Sequence, residues 1–570
     1  MSRATATPPD LTAAADVAGA ALRATDPDLA SAFRDHLPRA AGAVTRRLVG
    51  ALGREGLIDA TRIRGDRHAF GRVEPAPDAF DGDDPAAVLW RLAGTDPGAA
   101  AVAIELADAA VNLAIAYARQ PGASAALTEP ALDPDERSAT LEKLATEGHN
   151  LHPCARTRLG WTVPDLLAYD LEASSVGVGF VAVRRDVHIG DDLGFVLGDV
   201  VGRLLDGPAG PDPRAYALIP VHAWQAERIR HGRYADLVSS GVLVPVAGVI
   251  DATPTAALRT LLLSGTDPGP RYLKLSLDIQ VTSTRRTISV ASTRNGPLLS
   301  ALLGRVLPDG PGGSRVLLMA ETAGSACRLP GGRERELSAI VRTGLTGRLG
   351  PGEVPVPGAA LYATDPSTGG PVVAGVVDRF ADTRRLADRS AAALAFVDEY
   401  AALLLPPVLA LATVHGIGLE AHLQNCVPTF VAGVPHRLAL RDLAGLRVHP
   451  PRLVESLALW PGSVIVTDDV DTLLAKVAYT ALQANLGEVV RQLVRSHALD
   501  EPAAWARVRQ RVDEVYEGLR RDSRWATRAA YDHAFLTSPE VPHKALLRMR
   551  LAAGRGASGD IYVRVENPLR

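Results

Sequence analysis

The chain has 570 residues, with 61 basic and 64 acidic side chains and a formal net charge of −3. This length suggests about three or four domain-sized units, and a hydrophobic content of 47% with 22% charged residues excludes a largely disordered chain. The balanced charge argues against a protein that binds duplex nucleic acid. The three scattered cysteines argue against a disulfide framework. We therefore expect a cytoplasmic protein without nucleic-acid or membrane partners.

The first region, residues 1–138, is predicted to be mainly helical. Its segments 11–58 and 86–119 are rich in alanine and leucine at helical spacing, and they carry no motif associated with a known chemistry. The first ten residues lack a basic stretch followed by an apolar one, so no secretory signal is expected.

The second region, residues 139–355, has the composition of short strands. Its runs of valine, isoleucine and leucine are residues 176–183, 216–221, 242–250 and 274–291. The segment 350–358 is rich in proline and glycine and marks a predicted domain boundary.

The third region, residues 356–570, is predicted to be helical, so the fold class expected for the whole chain is α+β. Long helical patterns cover residues 386–411, 471–496 and 502–521. The apolar run 401–414 is short for a bilayer span, and Pro406 and Pro407 interrupt it. We expect a buried helix that bends or restarts at the two prolines.

The common phosphate-loop and hydrolase signatures are absent from the sequence. There is no GxxxxGK[ST] phosphate loop, no HExxH zinc motif and no GxSxG nucleophile elbow. The corresponding enzyme classes therefore lose support.

A first polar cluster places His149 and His152 shortly before Arg156 and Arg158. These side chains can form a cationic pocket, because guanidinium groups bind phosphate oxygens through paired hydrogen bonds. A surface turn with solvated cations explains the same residues equally well. A zinc site is disfavoured, since no further ligand set is spaced nearby.

A second cluster follows the alternating pattern of a strand from Lys274 to Ser289, with polar side chains on one face. A solvated strand face is the simplest explanation. If the segment binds one ligand, it must bend, because Lys274 and Thr282 would lie about 26 Å apart in a straight strand that rises about 3.3 Å per residue.

A third cluster places Glu420, His422, Gln424 and Asn425 directly after the apolar helix. Polar groups at such a place are costly unless they are paired or bind a ligand. The segment is therefore either a satisfied helix cap or part of a site, in which Asp442 could join Glu420 as a ligand of Mg²⁺.

A fourth cluster, residues 543–551, places Lys544 beside two arginines, and a basic amphipathic surface helix explains it equally well. Lysine is rare here, with only four among the 61 basic residues. Two of the others, Lys143 and Lys476, lie in helical patterns and are given no special role.

Together and in this order, these segments resemble the NRPS-independent siderophore synthetases, the IucA/IucC-like aerobactin synthetase family. The similar segments are GHNLHPCARTRLG (148–160), PVHAWQ (220–225), ALRT (257–260), Lys274 with Thr282, Ser283 and Arg286, NGP (295–297), GIGLEAHLQN (416–425), RDLAG (441–445) and KALLRMRL (544–551). Each segment is a weak signal alone, and their common order makes the resemblance specific.

The resemblance implies a cupped hand with a thumb (residues 1–138), fingers (139–355) and a palm (356–570). It implies a ligase that uses ATP and Mg²⁺ to activate citrate, or a citrate or succinyl derivative, as an acyl-adenylate with release of pyrophosphate. An amine, hydroxylamine or alcohol then attacks, giving an amide or ester in a siderophore pathway. A homodimer is also implied.

By position, the resemblance assigns roles to individual residues. Those that would surround ATP are His149, His152, Arg156, Arg158, Arg259, Lys274, Thr282, Ser283 and Arg286. Those that would hold Mg²⁺ are Glu420, Asn425 and Asp442, and those that would orient the carboxylate are His422, Gln424 and Lys544. The catalytic residues would be Arg286, His422 and Lys274, with His422 helping to deprotonate the nucleophile.

Four positions depart from the family pattern. Arg156 stands in place of a lysine, Asn150 and Ala223 in place of prolines, and Ala257 in place of a serine. Two alternatives therefore stay open: the same chemistry on a non-citrate carboxylate in another natural-product pathway, or a protein that binds ATP and a ligand without turnover.

Overall fold

A computed structural model gives the structure of the chain and describes residues 10–80, 82–93, 96, 98–120, 132–204, 211–266, 269, 271–556 and 559–570. The expectation that no secretory signal is present concerns the first ten residues, of which 1–9 lie outside the described residues.

The helices are α1 (Leu11–Thr25), α2 (Pro27–Arg54), α3 (Pro85–Ala93), α4 (Ala99–Arg119), α5 (Pro134–Glu142), α6 (Val163–Tyr169), α7 (Leu193–Val196), α8 (Gly198–Leu204), α9 (Ala223–His231), α10 (Ala235–Ser239), α11 (Val290–Val306), α12 (Gly358–Leu361), α13 (Val372–Arg384), α14 (Arg389–His415), α15 (Val470–Val477), α16 (Gly487–His497), α17 (Glu501–Arg520), α18 (Ala526–Leu536) and α19 (Leu546–Gly554).

The strands are β1 (Gly65–His68), β2 (Arg72–Pro75), β3 (Val176–Arg184), β4 (His188–Gly190), β5 (Tyr216–His222), β6 (Leu243–Pro245), β7 (Ile250–Pro254), β8 (Thr260–Leu263), β9 (Arg271–Leu275), β10 (Leu277–Val281), β11 (Thr284–Arg286), β12 (Val316–Leu318), β13 (Glu321–Cys327), β14 (Ala339–Thr343), β15 (Glu353–Pro355), β16 (Ile417–Gly418), β17 (Cys426–Val431), β18 (Val434–Leu440), β19 (Arg447–Val448), β20 (Glu540–Lys544) and β21 (Tyr562–Glu566).

The N-terminal helices pack on one another through leucine and alanine faces. Asp10 and Asp26 cap α1 and α2 by accepting hydrogen bonds from first-turn N–H groups. Leu48 of α2 and Leu106 of α4 are fully buried in the core that these helices share. The helices predicted within residues 11–58 and 86–119 are confirmed, and the hairpin β1–β2 follows α2.

The second region is built on a large antiparallel sheet with the strand order β4-β13-β14-β9-β8-β7-β3-β5, in which β6 also pairs with β3. In its centre, Lys274 of β9 lies opposite Thr260 of β8 and Ile340 of β14. The strands predicted near 176 and 216 are confirmed, whereas the run 242–250 contains β6 and only the first residue of β7.

The single strand expected over residues 274–291 is instead the end of β9, two further strands, β10 and β11, and the start of helix α11. The chain leaves the sheet at Ser276, whose hydroxyl donates to the carbonyl of Arg335 and accepts from the N–H of Ile288. β10 and β11 then form a hairpin, and α11 begins at Val290. The bend that a single ligand site requires is therefore present.

A smaller sheet joins the second and third regions. Its order is β12-β18-β17-β15, so two strands from before residue 356 enclose two strands from after residue 425. The predicted boundary after residue 355 thus falls directly after a strand, β15, that pairs with β17 of the next region.

The third region is a helical core around α14. This helix is continuous through Pro406 and Pro407, so the restart expected there does not occur. The helix predicted over 471–496 consists of α15, a π-helical segment (Ala478–Leu486) and α16. By length and composition α4 and α14 could span a membrane, but 78% and 67% of their most apolar windows are buried inside the protein.

Candidate functional site

The site is anchored by a buried lysine–aspartate pair. Lys274 is 1% exposed, and its Nζ lies 2.6 Å from Oδ1 of Asp442 and 4.0 Å from Oε1 of Glu321. Burial opposes ionisation of Asp442, but Lys274, Arg342 and Arg259 outweigh it and hold the pKa of this carboxyl well below its usual range. Asp442 is therefore an ionised carboxylate, and it sits in a left-handed backbone conformation just after β18.

The β10–β11 turn presents the next group of predicted residues. Thr282 has a φ of +57° and accepts a 2.8 Å hydrogen bond from Nη2 of Arg286. The neighbouring Ser283 hydroxyl lies 3.0 Å from Nε2 of His152. Arg550 fixes the same turn by donating to the carbonyl of Ser283 at 2.9 Å. The turn therefore holds Arg286 and His152 in place.

Three imidazoles lie side by side across the site. The ring of His149 is 6.2 Å from that of His152 and 6.4 Å from that of His422. Burial, reinforced by His422, lowers the pKa of His149 to about 3, and burial also lowers the pKa values of His152 and His422. All three are neutral at pH 7. Nδ1 of His152 accepts from the N–H of Cys154, so its Nε2–H donates to Ser283.

The side chain of Arg286 is half-buried, and its guanidinium is incompletely paired. Its Nε is buried and has no hydrogen-bond partner among the described residues. Burial, together with Arg259 and Arg158, lowers the pKa of Arg286 to about 9. Arg259 is also buried enough to lower its pKa, and its Nη1 is fixed by the carbonyl of Thr287 at 2.9 Å. An anion placed between these groups would relieve the repulsion and fill the free donor.

The third-region segment supplies a second anchored carboxylate. Oε1 of Glu420 lies 2.9 Å from Nζ of Lys476, and its backbone carbonyl accepts from Nδ2 of Asn425 at 3.1 Å. Burial opposes ionisation, but Lys476 and His422 outweigh it and lower the pKa of Glu420 to about 2. Lys476, to which its helical pattern gave no special role, is thus the ion-pair partner of a predicted metal ligand. Its helical pattern gave no sign of this partner, which lies 56 residues away.

The two remaining carboxylate-binding candidates lie on this same side. Lys544 pairs with Asp560 at 2.8 Å and is close enough to help lower the pKa of Glu420. Gln424 accepts from Nε of Arg441 through its backbone carbonyl at 2.9 Å. Its side chain is half-buried, with no hydrogen bond to any described residue.

Arg156 and Arg158 are engaged by carboxylates of their own region. Arg156 is 2% exposed, and its Nη2 lies 2.9 Å from Asp170 and 3.1 Å from Glu172. Arg158 pairs with the other oxygen of Asp170 at 3.3 Å. A direct phosphate contact would require these buried ion pairs to open. In the structure as it stands, the two arginines act as supports of the loop that carries the histidines.

The oxygen donors predicted for Mg²⁺ have suitable chemistry. Glu420 and Asp442 are ionised, and carboxylate oxygens are the ligands that Mg²⁺ prefers. No group of three or more His, Cys, Asp or Glu side chains forms a metal site within the described part of the chain. Mg²⁺ commonly uses one or two carboxylates together with substrate phosphates, so the donor set fits an ion that arrives with a nucleotide.

Gly445 provides a sensitive test of the position of Glu420. A Cβ at this residue would lie 1.6 Å from Oε2 of Glu420, so Gly445→Ala must displace that carboxylate from its present position. We expect turnover to fall by about 10- to 100-fold with little loss of stability, because only the end of a side chain has to move. Gly304→Ala, on open helix surface, is the control. Wild-type turnover in Gly445→Ala would contradict a role for Glu420.

Two family models match the chain in separate segments. The model described as the IucA / IucC family matches residues 137–363. The model described as a ferric iron reductase FhuF-like transporter matches residues 394–559. Between them they cover the predicted ATP-binding, metal and carboxylate residues.

Several enzymes are similar over most of their length. Staphyloferrin A synthase of Staphylococcus aureus is 25% identical over 451 residues, which are 75% of this chain and 72% of the relative. The D-ornithine–citrate ligase of the same organism is 25% identical over 459 residues, which are 75% of this chain and 69% of the relative.

The fold is that of solved siderophore synthetases. The petrobactin biosynthesis protein AsbB of Bacillus anthracis superposes with a TM-score of 0.78 at 23% identity, covering 97% of this chain and 98% of AsbB. ATP-bound aerobactin synthetase IucA of Klebsiella pneumoniae superposes with a TM-score of 0.68 at 21% identity, covering 85% and 87% of the two chains. The expected α+β fold of this family is confirmed.

Proposed function

The chain belongs to the IucA/IucC family of siderophore synthetases, and on that premise we propose that it is an ATP-dependent ligase acting on citrate or a citrate or succinyl derivative. The carboxylate is activated as an acyl-adenylate with release of pyrophosphate. An amine, hydroxylamine or alcohol then displaces AMP to form an amide or ester. The relatives named as citrate ligases support this substrate class.

The observation that carries the proposal is the set of under-compensated cations at Arg286 and Arg259. Attack of a carboxylate on an α-phosphate brings two anions together, and fixed positive charge lowers the cost of that approach. Arg286 has a free buried donor, and burial, together with the nearby Arg259 and Arg158, lowers its pKa. Such a group is prepared for a nucleotide phosphate.

The remaining ATP residues would position the nucleotide around these cations. Neutral His149 offers a hydrogen bond without adding charge, His152 holds the hydroxyl of Ser283 through its Nε2–H, and Thr282 sets the direction of Arg286. Mg²⁺, when bound with ATP, would offset phosphate charge, and Glu420, Asn425 and Asp442 would hold it. The part of Lys274 is to keep Asp442 ionised and in place.

His422 would contact the carboxylate substrate and assist the attack of the nucleophile. Its neutral ring is close enough to both Glu420 and Asp442 to feel their charges. It can accept a proton from an attacking amine or hydroxyl. Lys544 and Gln424 would orient the other carboxylates of a citrate-like substrate. The proposal extends to a homodimer, which is supported by the resemblance to the family. It also extends to a cytoplasmic location, which is supported by the three free, buried cysteines.

The test is an assay with ATP, Mg²⁺, hydroxylamine and a panel of carboxylic acids, in which pyrophosphate and hydroxamate are measured. We expect citrate or a citrate or succinyl derivative to give both products. Turnover only with an unrelated acid would move the function to the alternative substrate class that Asn150, Ala223 and Ala257 leave open. ATP binding without pyrophosphate release for any acid would contradict the proposal and favour a non-catalytic binding protein.

A further inference from the structure

Glu142, the last residue of α5, is a fully buried carboxylate that lies in none of the segments similar to the family. Its two oxygens accept hydrogen bonds from parts of the chain that are far apart in sequence. Oε1 accepts from Nη1 of Arg441 at 2.5 Å, and Oε2 accepts from the N–H of Ala256 at 2.8 Å. One side chain therefore joins the third region to the second.

On the third-region side, Arg441 extends this contact to the segment GIGLEAHLQN. Its Nε donates to the carbonyl of Gln424 at 2.9 Å, and its N–H donates to the carbonyl of Asn425 at 3.0 Å. Burial opposes the charge of Arg441, but Glu142 outweighs burial and raises the pKa of this guanidinium. The position of Arg441, next to Asp442 in the chain, therefore depends on Glu142.

On the second-region side, Ala256 lies at the start of the turn between β7 and β8 that carries Arg259. Within this turn, Leu258 has a φ of +61°, a left-handed conformation that is costly for a leucine. Such a conformation persists only where surrounding contacts impose it. The hydrogen bond from Ala256 to Glu142 is one of these contacts, so Glu142 helps to fix the direction in which Arg259 leaves the turn.

We propose that Glu142 is a positioning residue, which holds the nucleotide side and the carboxylate side of the site in one arrangement through Ala256 and Arg441. Glu142 has no exposed surface and both its oxygens are used, so it acts through these partners and not by contact with a substrate. The inference rests on the proposed function, which assigns Arg259 to ATP and Gln424 to the acid. A single substitution at Glu142 should therefore impair both substrates.

The test is Glu142→Gln, which keeps the shape of the side chain but places an amide N–H against one of its two donors. We expect the Kd for ATP and the KM for the acid each to rise by about 10-fold, the usual cost of removing a partner that orients a binding group. Calorimetry with ATP and Mg²⁺ gives the Kd without any turnover. Pyrophosphate release gives the KM for the acid that the wild type turns over.

Asp135→Asn is the matched control, because Asp135 is a second fully buried carboxylate on the same helix. It accepts from the N–H groups of Leu345 and Thr346 and from the hydroxyl of Tyr272, none of which lies in the segments similar to the family. We expect this variant to lower the melting temperature and to leave both constants unchanged. An equal rise of both constants in the two variants would overturn the proposal, since any damage to α5 would then explain it.

The double variant Glu142→Gln with Arg441→Met separates positioning from charge compensation, and it keeps the proposal testable if Glu142→Gln alone does not fold. Loss of Glu142 leaves Arg441 as a buried cation without its carboxylate partner, and methionine removes that cation. We expect the melting temperature to recover while the Kd and KM stay raised.

Wild-type constants in either Glu142→Gln or the double variant would overturn the positioning role. Failure of the wild type to release pyrophosphate with any acid would instead contradict the proposed function. In that case the Kd for ATP still decides the role of Glu142, because its measurement needs no turnover.

Discussion

Replacement of Arg286 with alanine is expected to lower turnover by about 100- to 1,000-fold, the usual cost of removing one preorganised charge from a transition state. The reason is that Arg286 combines a buried, free Nε with a fixed direction set by Thr282. Pyrophosphate release at saturating ATP and acid is the measurement. The melting temperature should stay near that of the wild type, since Arg286 forms no ion pair with any described residue.

Arg285→Ala is the matched control for this experiment. Arg285 lies in the same strand, but its side chain is 63% exposed and pairs with Asp278. We expect turnover within about threefold of the wild type, because Asp278, which is buried, keeps Arg228 at 3.7 Å as a partner. Equal loss in both variants would mean that the hairpin as a whole, and not the Arg286 guanidinium, supports the reaction.

Replacement of Glu488 with alanine is expected to cost about 3–5 kcal/mol in the free energy of unfolding. Glu488 is fully buried and neutralises Arg72 and Arg491, and its loss leaves buried cations without a partner. It also accepts from Nδ2 of Asn150 at 3.0 Å, so the loop of His149 should loosen. Urea denaturation measures the first effect, and the Kd for ATP measures the second.

Glu514→Ala is the control, because this carboxylate pairs with Arg511 at a site where the two side chains are 45% and 30% exposed. Its replacement should cost less than about 1 kcal/mol. Acid provides a second check on Glu488. Burial opposes its ionisation, but Arg491 and Arg72 hold its pKa well below the usual 4.5. Its contribution is therefore complete above about pH 4.5 and should be lost as the pH falls further. Equal stability of both variants would contradict this account.

The sequence was informative about segments and much less so about partners. Helical spacing identified α14 and α17 because their buried faces repeat every three or four residues. The motif order pointed to His149, Arg286 and His422, and the family's fold is confirmed. The distance between Lys274 and Thr282 in a straight strand shows that a single ligand site requires a break. The sequence does not show that the break lies at Ser276, because it depends on hydrogen bonds to Arg335 and Ile288.

Local sequence patterns do not reveal ion pairs between residues that are far apart in the chain. Lys274 meets Asp442 across 168 residues, and Lys476 meets Glu420 across 56. A lysine on a helical face has the same local pattern whether it faces water or a buried carboxylate, so the local pattern does not reveal the partner of Lys476. The role predicted for Arg156 depends on Asp170 and Glu172 in the same way.

The small sheet β12-β18-β17-β15 has a consequence for how the chain is made. β12 pairs with β18, so the strand hydrogen bonds of residues 316–318 can form only after residues 438–440 have been synthesised. During synthesis, all strands of the large antiparallel sheet leave the ribosome before β18 does, so β12 is still unpaired and exposed when that sheet can fold. Fragments that stop near residue 363, where the first family match ends, should therefore be poorly soluble. Expression of the two matched segments together in one cell offers the missing strands and should restore solubility.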